Sequence, residues 1–116
     1  VDVQVTILHN SDCSKSREAL DYLYKKGLQP HVWDYVQHPP SIDWLKELAW
    51  KLGVSPSSLI RPAEFRRLNL QPSSDPEVLF SMIAEHPMLL QRPIVVVGDR
   101  VCIARPAQAV DSIIHA

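Results

Sequence analysis

Residues 3–8, Val-Gln-Val-Thr-Ile-Leu, alternate apolar and polar side chains and then turn wholly apolar, which predicts a β-strand. A polar loop at 9–13 follows. From 14 to 26 the apolar residues Ala19, Leu20, Leu23 and Tyr24 recur at helical spacing, Lys25 and Lys26 suit the last turn, and Gly27 supplies the stop. Residues 31–36 are rich in β-branched and aromatic side chains and are bounded by Pro30 and Pro39-Pro40, so they read as a second strand. A chain that opens β-α-β has few topologies left open to it.

After the proline pair, Ser41 is placed to cap a helix whose Ile42, Leu45, Leu48, Ala49 and Leu52 share a face until Gly53. Ser55-Pro56 starts a short helical turn to Leu59-Ile60, and Pro62 and Pro72 are expected to break the pattern beyond it. Asp75-Pro76-Glu77 marks another helix N-terminus, running on through Val78, Leu79, Met82 and Ile83 to His86-Pro87. Residues 93–97 are an apolar strand, Gly98-Asp99 is a two-residue turn, and 100–104 return as a second strand, so a hairpin is expected. A last helix carries Val110, Ile113 and Ile114 on one face, with Pro106 near its start. A βαβ start and a ββα finish with helices between them is the order of a thioredoxin-like fold. The expected class is therefore α/β, a mixed four-stranded sheet with flanking helices and an inserted helical segment. At 116 residues the chain is expected to form one domain.

The loop after the first strand holds Cys13 at the start of a helix. A helix N-terminus carries roughly half a positive charge and unpaired N–H groups, and a thiol there can fall from a pKa of about 8.5 to roughly 3.5–7.5. The second cysteine, Cys102, lies in the apolar stretch Val101-Cys102-Ile103-Ala104 and reads as core, with a resolving thiol as the other reading. Two widely separated cysteines make no disulfide framework, which suits a reducing cytoplasm. The start of the chain lacks a secretion signal's basic and long apolar regions, and no run approaches the roughly 20 apolar residues of a membrane span. A net charge of -1 gives no overall field for nucleic acid or an anionic membrane, so an anion site would have to be local. Trp33, Trp44 and Trp50 read as packing residues, and His31, His38, His86 and His115 show no metal-ligand spacing. Position 19 is alanine, which excludes a Cys-x5-Arg phosphatase loop, and three glycines leave no Gly-rich phosphate loop. A proline opening a central strand needs a reason, and for Arg92-Pro93 the choice is between a cis peptide beside the thiol and a plain loop-to-strand junction.

His9-Asn10-x-x-Cys13-Ser14-Lys15-Ser16-Arg17, followed by Gln91-Arg92-Pro93-Ile94-Val95-Val96 and Arg105-Pro106, resembles the glutaredoxin-coupled arsenate reductases of the ArsC type, including their YfgD-like relatives. Arg61 closes the Ser-Leu-Ile-Arg segment where that family carries a third substrate arginine. The resemblance covers essentially the whole chain. It implies that Cys13 attacks arsenate, that Arg61, Arg92 and Arg105 bind the oxyanion and lower the cysteine pKa, and that His9 and the Ser16 hydroxyl assist. It implies no bound cofactor, with glutathione as the co-substrate forming a mixed thiol–arsenic adduct that glutaredoxin resolves. The residue types fit this independently, because arginine offers a permanently charged fork of donors to a tetrahedral oxyanion and the N–H groups of 14–16 add an anion cradle. Ser11 stands where the family commonly has proline, and Asp12 is expected to oppose thiolate formation by its charge.

Other readings of the same residues are a monothiol glutaredoxin-like oxidoreductase, for which Cys13-Ser14-Lys15-Ser16 gives a Cys-x-x-Ser pattern, and a regulatory protein of the Spx type. Spx-type regulators typically carry Cys-x-x-Cys, and Ser16 occupies the second position here. His9 has a second reading as a hydrogen-bonded residue at a strand end.

Overall fold

In a computed structural model of the chain, residues 4–114 are described. Val3, at the start of the first predicted strand, and His115 lie outside the described residues. The chain divides into two units, one comprising Val1–Tyr35 and Arg92–Ala116 and the other Val36–Gln91.

The first unit holds the sheet. Strand β1 (Val5–His9) runs one residue further than its alternation predicts, helix α1 spans Ser14–Lys25, and β2 (His31–Asp34) stops two residues short of the predicted strand. Gly27 ends α1 as expected, with φ 80°, and the Leu28 N–H reaches back to the Leu23 carbonyl at 3.1 Å. Strands β3 (Ile94–Val97) and β4 (Arg100–Ile103) form the predicted hairpin, with Gly98 at φ 62° in the turn. Strand order is β2-β1-β3-β4. β1 pairs parallel with β2 and antiparallel with β3, and β3 pairs antiparallel with β4, which is the expected mixed four-stranded sheet.

Alternation on β1 sends Val5 and Ile7 to one face, where they meet Val95 of β3 and Ala19 and Leu23 of α1. Val110 and Ile113 close the same cluster. They sit on a 3-10 turn (Ala107–Val110) that leads into a single helical turn, α2 (Asp111–Ile114), so the predicted final helix is mostly a tighter turn. Ile7 and Leu23 are fully buried, and each such side chain contributes about 1.5–3 kcal/mol. The Tyr22 hydroxyl donates to the Asp111 carboxylate at 2.9 Å, and the Lys26 ammonium lies 3.8 Å from the same carboxylate, tying α1 to the C-terminal turn.

The second unit is helical, and its elements are named here by range. In the helix Ile42–Leu52 the Ser41 hydroxyl accepts from the Trp44 N–H at 3.1 Å, and Gly53 stops the helix at φ 68°. A 3-10 turn covers Pro56–Leu59. Pro62 then begins the helix Pro62–Arg67 where it was expected to break the pattern. The physical reason is positional: at the first helical residue no N–H is needed, so proline costs nothing there. Asn69, at φ 53°, ends this helix in the left-handed region that asparagine tolerates. In the helix Pro76–Glu85 the Asp75 carboxylate accepts from the Glu77 N–H at 3.0 Å, as the motif predicts. Leu45, Leu48, Leu59, Ile83, Leu89 and Leu90 are buried in this unit, and Lys46 pairs with Glu77. Among the described residues no helix is long and apolar enough to cross a membrane.

Candidate active site around Cys13

Asn10 shapes the loop that presents the thiol. Its carbonyl accepts from the Cys13 N–H at 3.0 Å, its side-chain Oδ1 accepts from the Asp12 N–H at 3.0 Å, and its own N–H donates to Ser16 Oγ at 3.0 Å. The Arg17 guanidinium holds the outer side of the loop by donating to the Ser11 carbonyl at 2.6 Å. Cys13 is thereby fixed at the cap position of α1 in an extended conformation, with its carbonyl accepting from the Arg17 N–H at 3.1 Å. Asn10 was absent from the sequence-predicted site. Its signal was the turn-forming habit of asparagine after a strand.

Burial pushes the Cys13 thiol up, but the opposing influences prevail. A hydrogen bond from the Arg92 side chain, the backbone N–H of Ser16, the positive charge of Arg92 and the backbone N–H of Lys15 together hold the pKa below its ordinary value. The Cys13 side chain closes no cap hydrogen bond with ideal geometry, so the helix acts on the sulfur through the field of its first N–H groups. Asp12, expected to oppose the thiolate by its charge, is exposed to solvent. Water screens a carboxylate at that position.

Ser16 is fully buried, and its hydroxyl is occupied by the Asn10 N–H and by His9, whose Nδ1 lies 2.7 Å away. What Ser16 gives the sulfur is its backbone N–H; its hydroxyl braces the loop and the end of β1. His9 is held below its ordinary pKa chiefly by burial, with Arg17 acting in the same direction and Asp34 against it. A neutral imidazole can take the Ser16 proton at Nδ1. His9 is thus a hydrogen-bonded strand-end residue, and it braces the helix turn that carries the thiol.

Arg92 is only 7% exposed. A guanidinium buried that deeply needs partners, and the Cys13 sulfur is one of them. Arg92 and Arg105 flank the hairpin, Arg92 shortly before β3 and Arg105 shortly after β4. A bond from the Ala104 N–H to the Pro93 carbonyl at 2.8 Å carries the β3–β4 pairing one residue past the strands towards them. Arg105 is exposed, and both the Arg92-Pro93 and Arg105-Pro106 peptides are cis, which answers the choice left open for Pro93.

Arg61 belongs to the helical unit. There its N–H donates to the Leu89 carbonyl at 2.7 Å and its guanidinium lies 4.0 Å from Glu64. That unit also holds a cavity of about 250 Å³ lined in part by Ile60, Phe65, Arg66 and Leu79, which includes none of the predicted site residues. Cys102 packs against the sheet's core cluster, and burial pushes its thiol up to about 11. Among the described residues no group of three His, Cys, Asp or Glu side chains is arranged to hold a metal ion.

Residues 8–113 match the model of the ArsC family. An arsenate reductase of Haemophilus influenzae is 39% identical over 112 residues, covering 93% of this chain and 97% of the relative. The YfgD protein of Escherichia coli K12, which is uncharacterized, is 39% identical over 115 residues, covering 96% and 97%. Among solved structures, arsenate reductase from Vibrio cholerae superposes with a TM-score of 0.88 at 38% identity, covering 97% of this chain and 99% of that one.

Proposed function

The chain belongs to the ArsC family, and from that premise we propose that it is an arsenate reductase in which Cys13 is the nucleophile. The observation that carries the reading is the buried Arg92 guanidinium donating to the Cys13 sulfur at the start of α1. A thiolate is the reactive form of cysteine, and this arrangement favours it. The relatives named arsenate reductase cover nearly the whole chain, which supports arsenate as the substrate.

In the proposed reaction the Cys13 thiolate forms a sulfur–arsenic bond, and an arsenate oxygen departs as water after protonation. The glutathione thiol then displaces a second arsenic-bound oxygen as water and forms its own sulfur–arsenic bond. A glutaredoxin thiol attacks that glutathione sulfur, breaking the sulfur–arsenic bond so that its electron pair takes As(V) to As(III) and the two thiols become one mixed disulfide. Water then hydrolyses the Cys13–arsenic bond, releasing arsenite and the Cys13 thiol, for a net loss of one oxygen as water. Arg92 and Arg105, which flank the β3–β4 hairpin, offer forked donors to the oxyanion. The N–H groups of the α1 N-terminus add to them. Arg61 enters through the family resemblance. His9 and Ser16 act by holding the turn that carries the sulfur. The setting is that of a small enzyme working with glutathione and glutaredoxin in the cytoplasm.

The test is single-turnover reduction of arsenate by the purified protein with glutathione and glutaredoxin. Arsenite should appear at one equivalent or less per Cys13 before turnover begins, and a wild-type protein that yields none refutes the proposal. Arg61→Ala and Arg105→Ala in the same assay should raise the KM for arsenate more than they lower kcat.

A further inference from the structure

Residues 61, 64 and 67 recur at a spacing of three along the helix Pro62–Arg67 and its cap, which sets two arginines and one glutamate on a shared face. The two arginines compete for one carboxylate. Arg67 donates from Nε to Glu64 Oε2 at 2.9 Å, and its Nη2 lies 2.9 Å from the same oxygen. Glu64 Oε1 lies 4.0 Å from Arg61 Nη1, close enough for charge attraction and too far for a hydrogen bond. Arg61 Nη1 is buried and has no hydrogen-bond partner among the described residues, so a charged donor is left open beside a carboxylate whose side chain is only 17% exposed. The backbone of Arg61 is set independently of these side chains. Its N–H donates to the Leu89 carbonyl at 2.7 Å, Ile60 and Leu90 form an antiparallel bridge, and Gln91 Nε2 donates to the Ile60 carbonyl at 3.3 Å. The guanidinium, on its long rotatable stem, is the part of Arg61 that can respond to Glu64.

We propose that Arg67 is a positioning residue of the reaction, which holds Glu64 off Arg61 and so keeps the Arg61 guanidinium open to an oxyanion. This rests on the reading of Arg61 as an oxyanion ligand. Without Arg67 the carboxylate loses both short contacts, and Arg61 is the one cation left within 4.0 Å of it among the described residues. A charge-assisted bond between them would satisfy the open donor and cancel the charge that attracts the anion. Arg67 touches no substrate and acts through Glu64 alone.

The experiment measures KM and kcat for arsenate reduction with glutathione and glutaredoxin, and in parallel the protection that arsenate gives Cys13 against iodoacetamide, a readout that needs no turnover. Arg67→Ala should raise KM about fivefold with kcat within about twofold of wild type, and should weaken protection by the same factor as KM. Glu64→Gln keeps the shape, removes the charge, and should give a KM at or below that of wild type. Adding Arg67→Ala to Glu64→Gln should change nothing further. Arg66→Ala removes a positive charge from the same helix, at an exposed position that makes no ion pair with Glu64, and should leave KM unchanged. A folded Arg67→Ala variant with wild-type KM and wild-type protection overturns the proposal, as does an equal rise from Arg66→Ala or an equal rise with Glu64→Gln in place. If Arg61→Ala leaves both KM and protection at wild-type values, the reading of Arg61 falls first, and the role of Arg67 falls with it. A wild-type protein that yields no arsenite refutes the arsenate reductase reading, and the variants are then judged by protection; absence of protection as well overturns both.

Discussion

The two thiols of this chain share a side chain and a partly buried setting, yet their pKa values are displaced in opposite directions. Cys13 is held below its ordinary pKa, while Cys102 is pushed up to about 11. Burial acts upward on both. The difference lies in what faces the sulfur. Cys13 meets a guanidinium and the first N–H groups of a helix, whereas Cys102 sits within β4 and packs against the apolar side chains of the sheet core. Reactivity in this molecule is therefore set by oriented positive charge, with exposure a secondary matter.

The largest expected effect is on turnover. Cys13→Ser should lower arsenate reduction by at least about 10³-fold, while Cys102→Ala should leave it near wild type; equal losses from the two substitutions would erase the distinction. Labelling comes next. At pH 7 iodoacetamide should modify Cys13 more than about a hundredfold faster than Cys102, as mass spectrometry of the intact protein and its peptides would measure. The sign with pH follows from the lowered folded pKa of Cys13. Ionisation stabilises the fold above the unfolded-state pKa, and that contribution is lost as the pH falls through the lower folded value. The stability difference between wild type and Cys13→Ser should accordingly shift in favour of wild type as pH rises across that window. In denaturant unfolding, Cys102→Ala should cost roughly 1 kcal/mol through lost packing. The smallest effect is expected from Asp12→Asn, which should move the Cys13 alkylation midpoint by less than about 0.3 unit. A larger downward shift would show that the exposed carboxylate does reach the sulfur.

Much of the fold was legible because its punctuation is local. Ser41 and Asp75 cap as their chemistry predicts, and Gly27, Gly53 and Gly98 take the positive φ that their stop and turn positions need. Pro62 misled because proline is read first as a breaker, and only the observed helix start shows that it occupies the position where it is harmless. The C-terminal stretch has helical spacing that a 3-10 turn satisfies as well over so few residues. For the site, Cys13 is visible from its place between strand and helix, and Arg92 and Arg105 from their prolines. Asn10 was hidden because it acts through its backbone as much as its side chain.

The pairing of Leu8 with Ile94 has a further consequence. Side chains along a strand change sides at every residue, so the alignment of β1 with β3 works as a ruler whose unit is one residue. A single-residue deletion between Arg92 and Ile94 would leave the hairpin able to form, yet it would carry the guanidinium away from the sulfur it serves. Chemistry here is calibrated by counting along the central strand pair, and that count tolerates substitution far better than it tolerates insertion or loss.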